Sequence, residues 1–295
     1  MSGGVALVLL AALSISLTNV SAPFVYEAGG NPQTIIVLRN LAFLVICGLW
    51  LKASGRFRWL ERRAQLVCFG AGVAYTSGSA GLLLSLLYLP VSLAILIFFT
   101  FPLLTALLES ILDRRLPGLG QFACLLAALT GLAVALEVER FAFPPEGVIF
   151  AAIGAVGVAV SYVWTGRALP GADSAVMTFH MAITGLVGAA FYVAATGSFA
   201  LPVDGGAGIS GWAALVVAVV GFAVAFFAMF RGVHLIGPAS TAMVMNLEPV
   251  FTIALAVALL AEALSGRKLI GAALVLAAVV ASQLLLKRRR AMPPA

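Results

Sequence analysis

The sequence predicts an all-α integral membrane protein. Ten transmembrane helices are expected, arranged as two inverted five-helix repeats, with both termini in the cytoplasm. Three observations lead to this prediction: the composition, ten apolar runs and an internal repeat. Of the 295 residues, 63% are hydrophobic and 9% are charged, whereas about 25% of an ordinary soluble domain is charged. Too few polar side chains remain to cover a water-exposed surface, so the outer surface is expected to face the lipid bilayer.

The ten apolar runs follow one another with short loops between them. A helix that crosses a bilayer needs about 20 apolar residues, and each run approaches that length. The predicted spans are residues 4–25, 32–51, 64–86, 90–111, 118–137, 146–166, 174–196, 210–230, 237–260 and 267–286. They fill nearly the whole chain and leave no room for a soluble domain.

The basic side chains indicate the orientation. With ten spans and the N-terminus inside, 13 of the 17 Lys and Arg residues lie on the cytoplasmic side and 3 lie outside. The positive-inside rule expects this asymmetry. Membrane topology therefore accounts for the net charge of +6, and no nucleic-acid partner is predicted. Cys47, Cys68 and Cys124 are isolated in apolar spans, which is typical of buried thiols, so neither a metal site nor a cofactor is predicted.

The two halves of the chain share a pattern. A shift of 147 residues places Pro102 on Pro249 and Thr105 on Thr252, without a gap from about residue 89 to residue 136. Each half supplies five spans. Because five is an odd number, the halves must enter the membrane from opposite sides, and transporters of this design bind substrate near the midplane. The predicted repeats are residues 1–140 and 141–295.

A Glu-Pro pair, Glu248 and Pro249, lies inside the ninth apolar run. Pro249 has no N–H to donate to the Met245 carbonyl, and Pro102 has none for the Phe98 carbonyl. Unsatisfied backbone at membrane depth is tolerated only against protein or a wet cavity. The pattern predicts that this stripe lines a water-accessible site between the halves. The alternative is a simple kink, with Glu248 hydrogen-bonded in a packed interior.

Three other titratable groups are candidates for charge pairing or coupling. Arg39 lies inside the second span, where an ionisable side chain is a functional candidate by default. It is expected either to play a structural role, by pairing or reaching the interface, or to bind a substrate carboxylate. His180 stands alone on the seventh span and is interpreted as a hydrogen-bonded interior residue rather than a proton carrier. Glu109 is expected to pair with Arg114 or Arg115.

Several short motifs occur in the order that one family shows. Asn19, the segment NPQTIIVLRN with Arg39, the segment LEPVF with Glu248, and Glu262 thirteen residues further on together resemble the drug/metabolite transporter superfamily of the EamA type. Within it, the chain is most similar to bacterial inner-membrane exporters of aromatic amino acids. The resemblance implies a central cavity, alternating access, and functional positions at Asn19, Arg39 and Glu248. One departure is that Arg115 occupies the repeat position of Glu262.

The predicted site carries few charges. A nucleotide sugar or a phosphate ester would need several Lys or Arg side chains, so an apolar or aromatic amino acid fits better. Glu248 is expected to bind its ammonium group, polar side chains its carboxylate, and aromatic side chains its ring. The predicted substrate-binding residues are Asn19, Tyr75, Ser79, Phe98, Phe101, Met245, Asn246 and Glu248.

Other functions were weighed against this one. An exporter of organic cations would use the same acid and the same aromatic groups. An intramembrane enzyme is not expected, because Ser77 lacks the glycine that rhomboid-type proteases place two residues before their serine, and no other hydrolase motif occurs. Neither a filter loop nor a re-entrant segment suggests a channel, and a lipid scaffold would not need the Glu-Pro pair. A monomer and a homodimer are both compatible with the sequence.

Overall fold

The computed structural model describes residues 2–114, 118–135, 144–169, 171–203, 210–236, 241, 244–245 and 247–291. Regular structure in these residues is helical throughout, and no strand occurs among them. The helices are α1 Ser2–Glu27, α2 Pro32–Ala53, α3 Arg62–Ser85, α4 Val91–Phe98, α5 Phe101–Leu112, α6 Leu119–Ala135, α7 Pro145–Ala168, α8 Ser174–Thr196, α9 Gly211–Ile236, α10 Glu248–Leu260 and α11 Gly266–Ala291.

The helices coincide with the predicted spans. Over the described residues, seven helical segments are long and apolar enough to cross a membrane, one of them formed by α4 and α5 together. The chain is therefore an all-helical, multi-pass membrane protein, as expected where lipid forces every backbone group to bond internally. The other three predicted spans hold α6, α10 and α11. The total of ten crossings and the cytoplasmic location of both termini stay predictions.

Helix starts follow ordinary capping chemistry. The side chain of Asn31 accepts a hydrogen bond from the Thr34 amide at 2.9 Å, which satisfies one of the free N–H groups of the first turn of α2. Pro32 fits the next position because the first turn needs no N–H there. The C-terminus of α8 is followed by Gly197, which adopts φ 63°. This left-handed conformation commonly ends helices, and glycine adopts it without strain.

Glycine residues bring two helices into close antiparallel contact. A Cβ added to Gly78 would lie 2.9 Å from the Gly154 carbonyl oxygen, and one added to Gly157 would lie 2.6 Å from the Ala74 carbonyl oxygen. These distances leave no space for a methyl group, so α3 and α7 pack backbone to backbone, as small residues allow in membrane proteins.

Two further antiparallel pairs also pack closely at glycine residues. In α1 and α9, Gly4 packs on Ile236 and Gly211 packs on Ala28. In α6 and α11, a Cβ on Gly131 would meet the Gly271 carbonyl oxygen at 2.8 Å. Around these pairs, α2 packs on α8 and α9, α3 on α8, α5 on α7, α1 on α10, and α4 on α7 and α10.

The antiparallel packing gives the bundle two ends. The Glu27 end is where α1, α3 and α10 finish and where α2, α4 and α7 begin. The opposite end, where α3 begins, is the Arg62 end. A hydrophobic cluster concentrated towards the Glu27 end joins α1, α2, α3, α4, α7, α9 and α10; its fully buried members include Val25, Ile35, Leu83 and Ile95. This shared core closes the Glu27 end.

Two ion pairs link distant segments at the Arg62 end. Arg56 and Asp173 are 2.5 Å apart, and Arg167 and Asp113 are 2.5 Å apart. Both arginine side chains are 42% exposed. Exposed pairs of this kind contribute about 0–1 kcal/mol each. A second hydrophobic cluster, with Leu51, Val176 and Phe179, packs at this end as well.

A carboxylate caps α4 at the Glu27 end. The Val91 amide donates to Glu262 Oε1 at 2.5 Å, and the Ser92 amide donates to Glu262 Oε2 at 3.2 Å. The residue that precedes α4, Pro90, supplies no side-chain cap. A negative charge at a helix N-terminus also interacts favourably with the helix dipole. Glu262 therefore ties the end of α10 to the start of α4.

The fourth and ninth predicted spans differ from expectation in one respect. Neither is a continuous helix with a kink: α5 begins at Phe101 after a turn at Phe99 and Thr100, and α10 begins at Glu248 after a turn at Leu247. A proline sits in the first turn of each new helix. Its missing N–H is harmless there, because a first-turn amide has no partner within the helix. Each proline thus begins a helix instead of bending one.

Candidate functional site

Glu248 is the first residue of α10 and is 8% exposed. Its side chain accepts a hydrogen bond from Asn19 Nδ2 at 3.5 Å, and its backbone carbonyl accepts one from Ser16 Oγ at 3.0 Å. Both donors come from α1. The acid is therefore held at a helix N-terminus, where the dipole favours a negative charge, and it faces polar groups from the other half of the chain.

An aromatic cluster surrounds the break between α4 and α5. The ring centroids of Phe98 and Phe101 are 5.6 Å apart, and those of Phe101 and Tyr162 are 5.7 Å apart with the rings nearly perpendicular. Tyr162 also lies within electrostatic range of Glu248. The aromatic cluster and the buried acid are thus two sides of one region, built from α4, α5, α7 and α10.

Tyr162 connects this region with the protein surface. The side chain is 48% exposed although its ring touches the half-buried Phe101. Because α7 crosses the membrane, an exposed edge of this ring faces either lipid or water. It lies on α7 towards the Arg62 end, away from the apolar core that closes the Glu27 end.

Arg39 is a buried cation, 4% exposed. Its Nη2 donates to Ser79 Oγ, and its guanidinium lies 4.8 Å above the centroid of the Phe222 ring. Within the described part of the chain, Arg39 Nε has no hydrogen-bond partner, and no carboxylate lies within ion-pair distance of this guanidinium. The cation is therefore held by a hydroxyl group and an aromatic face.

Tyr75 is an electrostatic neighbour of both the buried acid and the buried cation. It is within electrostatic range of both Arg39 and Glu248, and also of Tyr162. Tyr75 and Ser79 are four residues apart on α3, so they share one helix face. This face of α3 carries the hydroxyl that accepts from the guanidinium and a phenol that interacts electrostatically with the acid.

The second half of the chain matches a family of known proteins. Residues 145–283 fit the EamA-like transporter family. Over these residues, just under half of the chain, the sequence is similar to an EamA-like transporter domain. The family belongs to the drug/metabolite transporter superfamily, and the match indicates a membrane transporter of small molecules.

Solved structures show the same fold over the whole chain. One crystal structure, whose description names no function, covers 99% of this chain and 99% of its own, with a TM-score of 0.64 at 20% identity. At that identity the likeness concerns the fold alone. Comparison with curated proteins gives no match.

The EamA-like domain supplies Glu248 and Tyr162, while the segment before it supplies most of the other predicted site residues. The structure brings together Asn19, Tyr75, Ser79, Phe98, Phe101 and Glu248 in one neighbourhood of the bundle. Ser79, expected to bind a carboxylate, accepts a hydrogen bond from Arg39. Met245 is partly buried just before the break, and Asn246 lies outside the described residues.

Two of the predicted coupling residues lie elsewhere. His180 is 6% exposed; its Nδ1 is 2.8 Å from the Val176 carbonyl oxygen, and its Nε2 accepts from the Leu60 amide at 3.4 Å. Both ring nitrogens are thus engaged by the backbone. Glu109 lies on α5 towards the Arg62 end, where its backbone carbonyl accepts from Arg167 at 3.2 Å.

Ser16 and Tyr162 belong to the site in the structure but are not among the residues predicted from the sequence. Ser16 belongs to a run of small polar residues on α1, but its bond to the Glu248 carbonyl depends on how α1 meets α10. Tyr162 follows Ser161, one of the fully buried hydroxyl groups of α7. The position of Tyr162 next to this serine is the one feature of the sequence that points to the site. A tyrosine near a helix end is equally often an anchor at the membrane interface.

Proposed function

We infer that the chain is an exporter of small amphipathic metabolites in a bacterial inner membrane. The favoured substrates are aromatic or other apolar amino acids, moved by alternating access around a central site. The observation that carries the proposal is the placement of Glu248. A buried acid begins a helix within the bundle, contacts Asn19 from the other half, and lies beside the aromatic cluster. An acid next to aromatic rings suits a solute with an ammonium group and an apolar side chain.

The proposed architecture is two inverted five-helix repeats, residues 1–140 and 141–295. The helix contacts support it because they occur in matching pairs. Under the shift that relates the halves, the contact between α1 and α9 corresponds to that between α7 and α3. The contact of α1 with α10 corresponds to that of α7 with α5, and the contact of α2 with α9 to that of α8 with α3. All of these contacts occur in the structure. Because α3 and α7 are antiparallel while α1 and α3 both run towards the Glu27 end, the corresponding helices α1 and α7 run in opposite directions.

The substrate's chemistry follows from the charges. Among the described residues, Arg39 is the one buried cation near the site. A phosphate ester or a nucleotide sugar would need several cationic side chains. In the proposal, Glu248 and the Met245 carbonyl bind the ammonium group. Asn19 provides a further polar contact, and the aromatic ring lies against Tyr75, Phe98, Phe101 and Tyr162.

The exposed edge of Tyr162 supports access from the Arg62 end, which the charge distribution predicts to be cytoplasmic. In the proposal, substrate enters from that end before export, because the largest hydrophobic cluster of the described residues lies towards the Glu27 end. Alternating access would then exchange the closed and open ends around the same residues.

Efflux measurements test the site. Proteoliposomes would be loaded with L-phenylalanine, and initial efflux rates compared among the wild type, Glu248→Gln and Phe101→Ala. We expect both variants to be at least about 10-fold slower, because each loses an interaction of about 1.5–3 kcal/mol. The matched controls are Glu61→Gln, an exposed acid before α3, and Phe122→Ala, a half-exposed ring on α6. Wild-type rates in both site variants would reject the proposal.

Organic cations are the second candidate class. The acid and the aromatic cluster would hold such a cation without needing a carboxylate partner. Including tetraphenylphosphonium in the same assay separates the classes. Saturable efflux of the cation, with none of L-phenylalanine, would assign the protein to cation export.

A further inference from the structure

We propose that Arg39 is the carboxylate-binding residue of the site, so that the substrate is a zwitterionic amino acid and not an organic cation. This inference rests on the proposed function, because it concerns the same site. It assigns the two charges of the substrate to two buried groups from different halves of the chain, the ammonium to Glu248 and the carboxylate to Arg39.

The hydrogen bonds of Arg39 leave room for a ligand. A guanidinium carries five N–H donors and cannot be deprotonated under ordinary conditions. In the described residues its hydrogen-bonding partner is Ser79, and Nε is buried without a partner. A carboxylate that approached this guanidinium could accept two parallel N–H bonds, the geometry that arginine favours.

The surroundings of Arg39 do not neutralise its charge. Within electrostatic range lie the phenols of Tyr75 and Tyr26, and the face of Phe222 lies against the guanidinium. A cation–aromatic contact contributes about 0.5–2 kcal/mol, whereas an unpaired buried charge costs considerably more than that. A buried cation whose described neighbours lack a carboxylate is suited to receive one from a substrate.

The position of Tyr75 relates Arg39 to Glu248. Tyr75 interacts electrostatically with both, while the hydrogen-bond partner of the acid is Asn19 and that of the cation is Ser79. The two charges therefore share one phenol as an electrostatic neighbour, and in the described residues they do not form an ion pair with each other. A zwitterion carries an ammonium group and a carboxylate on one carbon, so the proposal requires both buried groups to contact the same ligand.

A purely structural role for Arg39 makes a different prediction. If the guanidinium merely holds α2 against Ser79 of α3 and Phe222 of α9, its loss should weaken the binding of every ligand by the same factor. If it binds a carboxylate, its loss should weaken the binding of ligands that carry a carboxylate much more than of those that lack one.

The experiment compares two ligands of nearly equal shape. Purified protein would be titrated with L-phenylalanine and with L-phenylalaninamide, in which a neutral carboxamide replaces the carboxylate. The readout is the ratio of the two dissociation constants. We expect the wild type to prefer phenylalanine by about 10- to 100-fold, as the loss of a charged hydrogen bond implies, and Arg39→Met to bring the ratio close to one. Arg56→Met, at the exposed ion pair with Asp173, is the control and should keep the wild-type ratio.

Each result separates the hypotheses. A wild-type ratio near one overturns the carboxylate assignment even if Arg39→Met fails to fold. An unchanged ratio in Arg39→Met, with both affinities lowered equally, assigns Arg39 a structural role and leaves the proposed function standing. If the wild type binds neither ligand and exports neither, the proposed function itself fails. Arg39→Lys, which keeps the charge but not the forked geometry, should give an intermediate ratio.

Discussion

The breaks before α5 and α10 have nearly the same backbone. Thr100 and Leu247, the residues that precede the two helices, have φ and ψ of −75° and −11° in the first case and −80° and −13° in the second. The helices end alike as well. Arg114 and Ala261 both have φ 52°, and in the described residues they are the non-glycine positions with positive φ. Each pair is separated by 147 residues, the shift that the sequence predicts.

The side chains at the two breaks differ completely. Phe101 begins α5 among aromatic rings, whereas Glu248 begins α10 against the amide of Asn19. A duplicated backbone therefore carries an apolar group on one side of the site and an acid on the other. This difference teaches that symmetry sets where the site lies, while the departure from symmetry sets what it can bind.

The largest expected effect comes from erasing this difference. Phe101→Glu would place a second acid among Phe98, Phe99 and Tyr162, where the aromatic cluster offers no counter-charge. An unpaired buried charge costs about 3 kcal/mol or more, so we expect a clear fall in the midpoint of thermal unfolding in detergent. Phe101→Leu, the control, should cost less than about 1.5 kcal/mol. Equal midpoints for the two variants would show that the cluster is wet enough to hold a charge.

An intermediate effect is expected at the end of α10. Glu262→Ala removes the carboxylate that caps α4, and the loss of such a cap costs about 0.5–2 kcal/mol. Chemical denaturation measures this change. Glu61→Ala is the matched control, because Glu61 precedes α3 without making a side-chain cap bond, and it should leave the stability unchanged. If both substitutions cost the same, the Glu262 cap contributes nothing specific.

The smallest expected effect tests how similar the two helix ends are. A residue with a side chain is destabilised by about 1–2 kcal/mol in the left-handed conformation. Glycine avoids this strain, but part of the gain is offset because glycine makes the unfolded chain more flexible. Ala261→Gly and Arg114→Gly should therefore each raise the stability by about 0.5 kcal/mol. Because the two φ angles are equal, the two gains should be equal within error. A gain at one end with a loss at the other would show that the ends differ in context despite their common backbone.

Much of the fold can be predicted from the sequence because a membrane imposes strict rules. Apolar runs of sufficient length become helices, and the predicted runs coincide with helices in the structure. The prolines correctly marked where the fourth and ninth spans are interrupted. They did not reveal that each interruption is a turn followed by a new helix, since a proline fits equally well after a kink and in a first turn.

The site was harder to predict because its contacts cross between helices that are far apart in sequence. Glu248 stands out as an acid in an apolar run, but its bond to Asn19 spans 229 residues. The position of His180 shows the same difficulty. A lone titratable group on an apolar helix can face either the site or the packed interior. His180 is hydrogen-bonded to the backbone of Val176 and Leu60, and the hydrophobic pattern of the sequence does not reveal these partners.

The cap on α4 has a consequence for the order of synthesis. Val91 and Ser92 find their acceptor 171 and 170 residues later in the chain, so α4 enters the membrane well before Glu262 exists. Until then, two amides of its first turn lack the acceptor that the finished protein provides, and such groups are costly in lipid. The first five spans made alone would keep this defect permanently. The N-terminus of α4 therefore gains its capping hydrogen bonds only after Glu262 has been synthesised, and not when α4 is inserted.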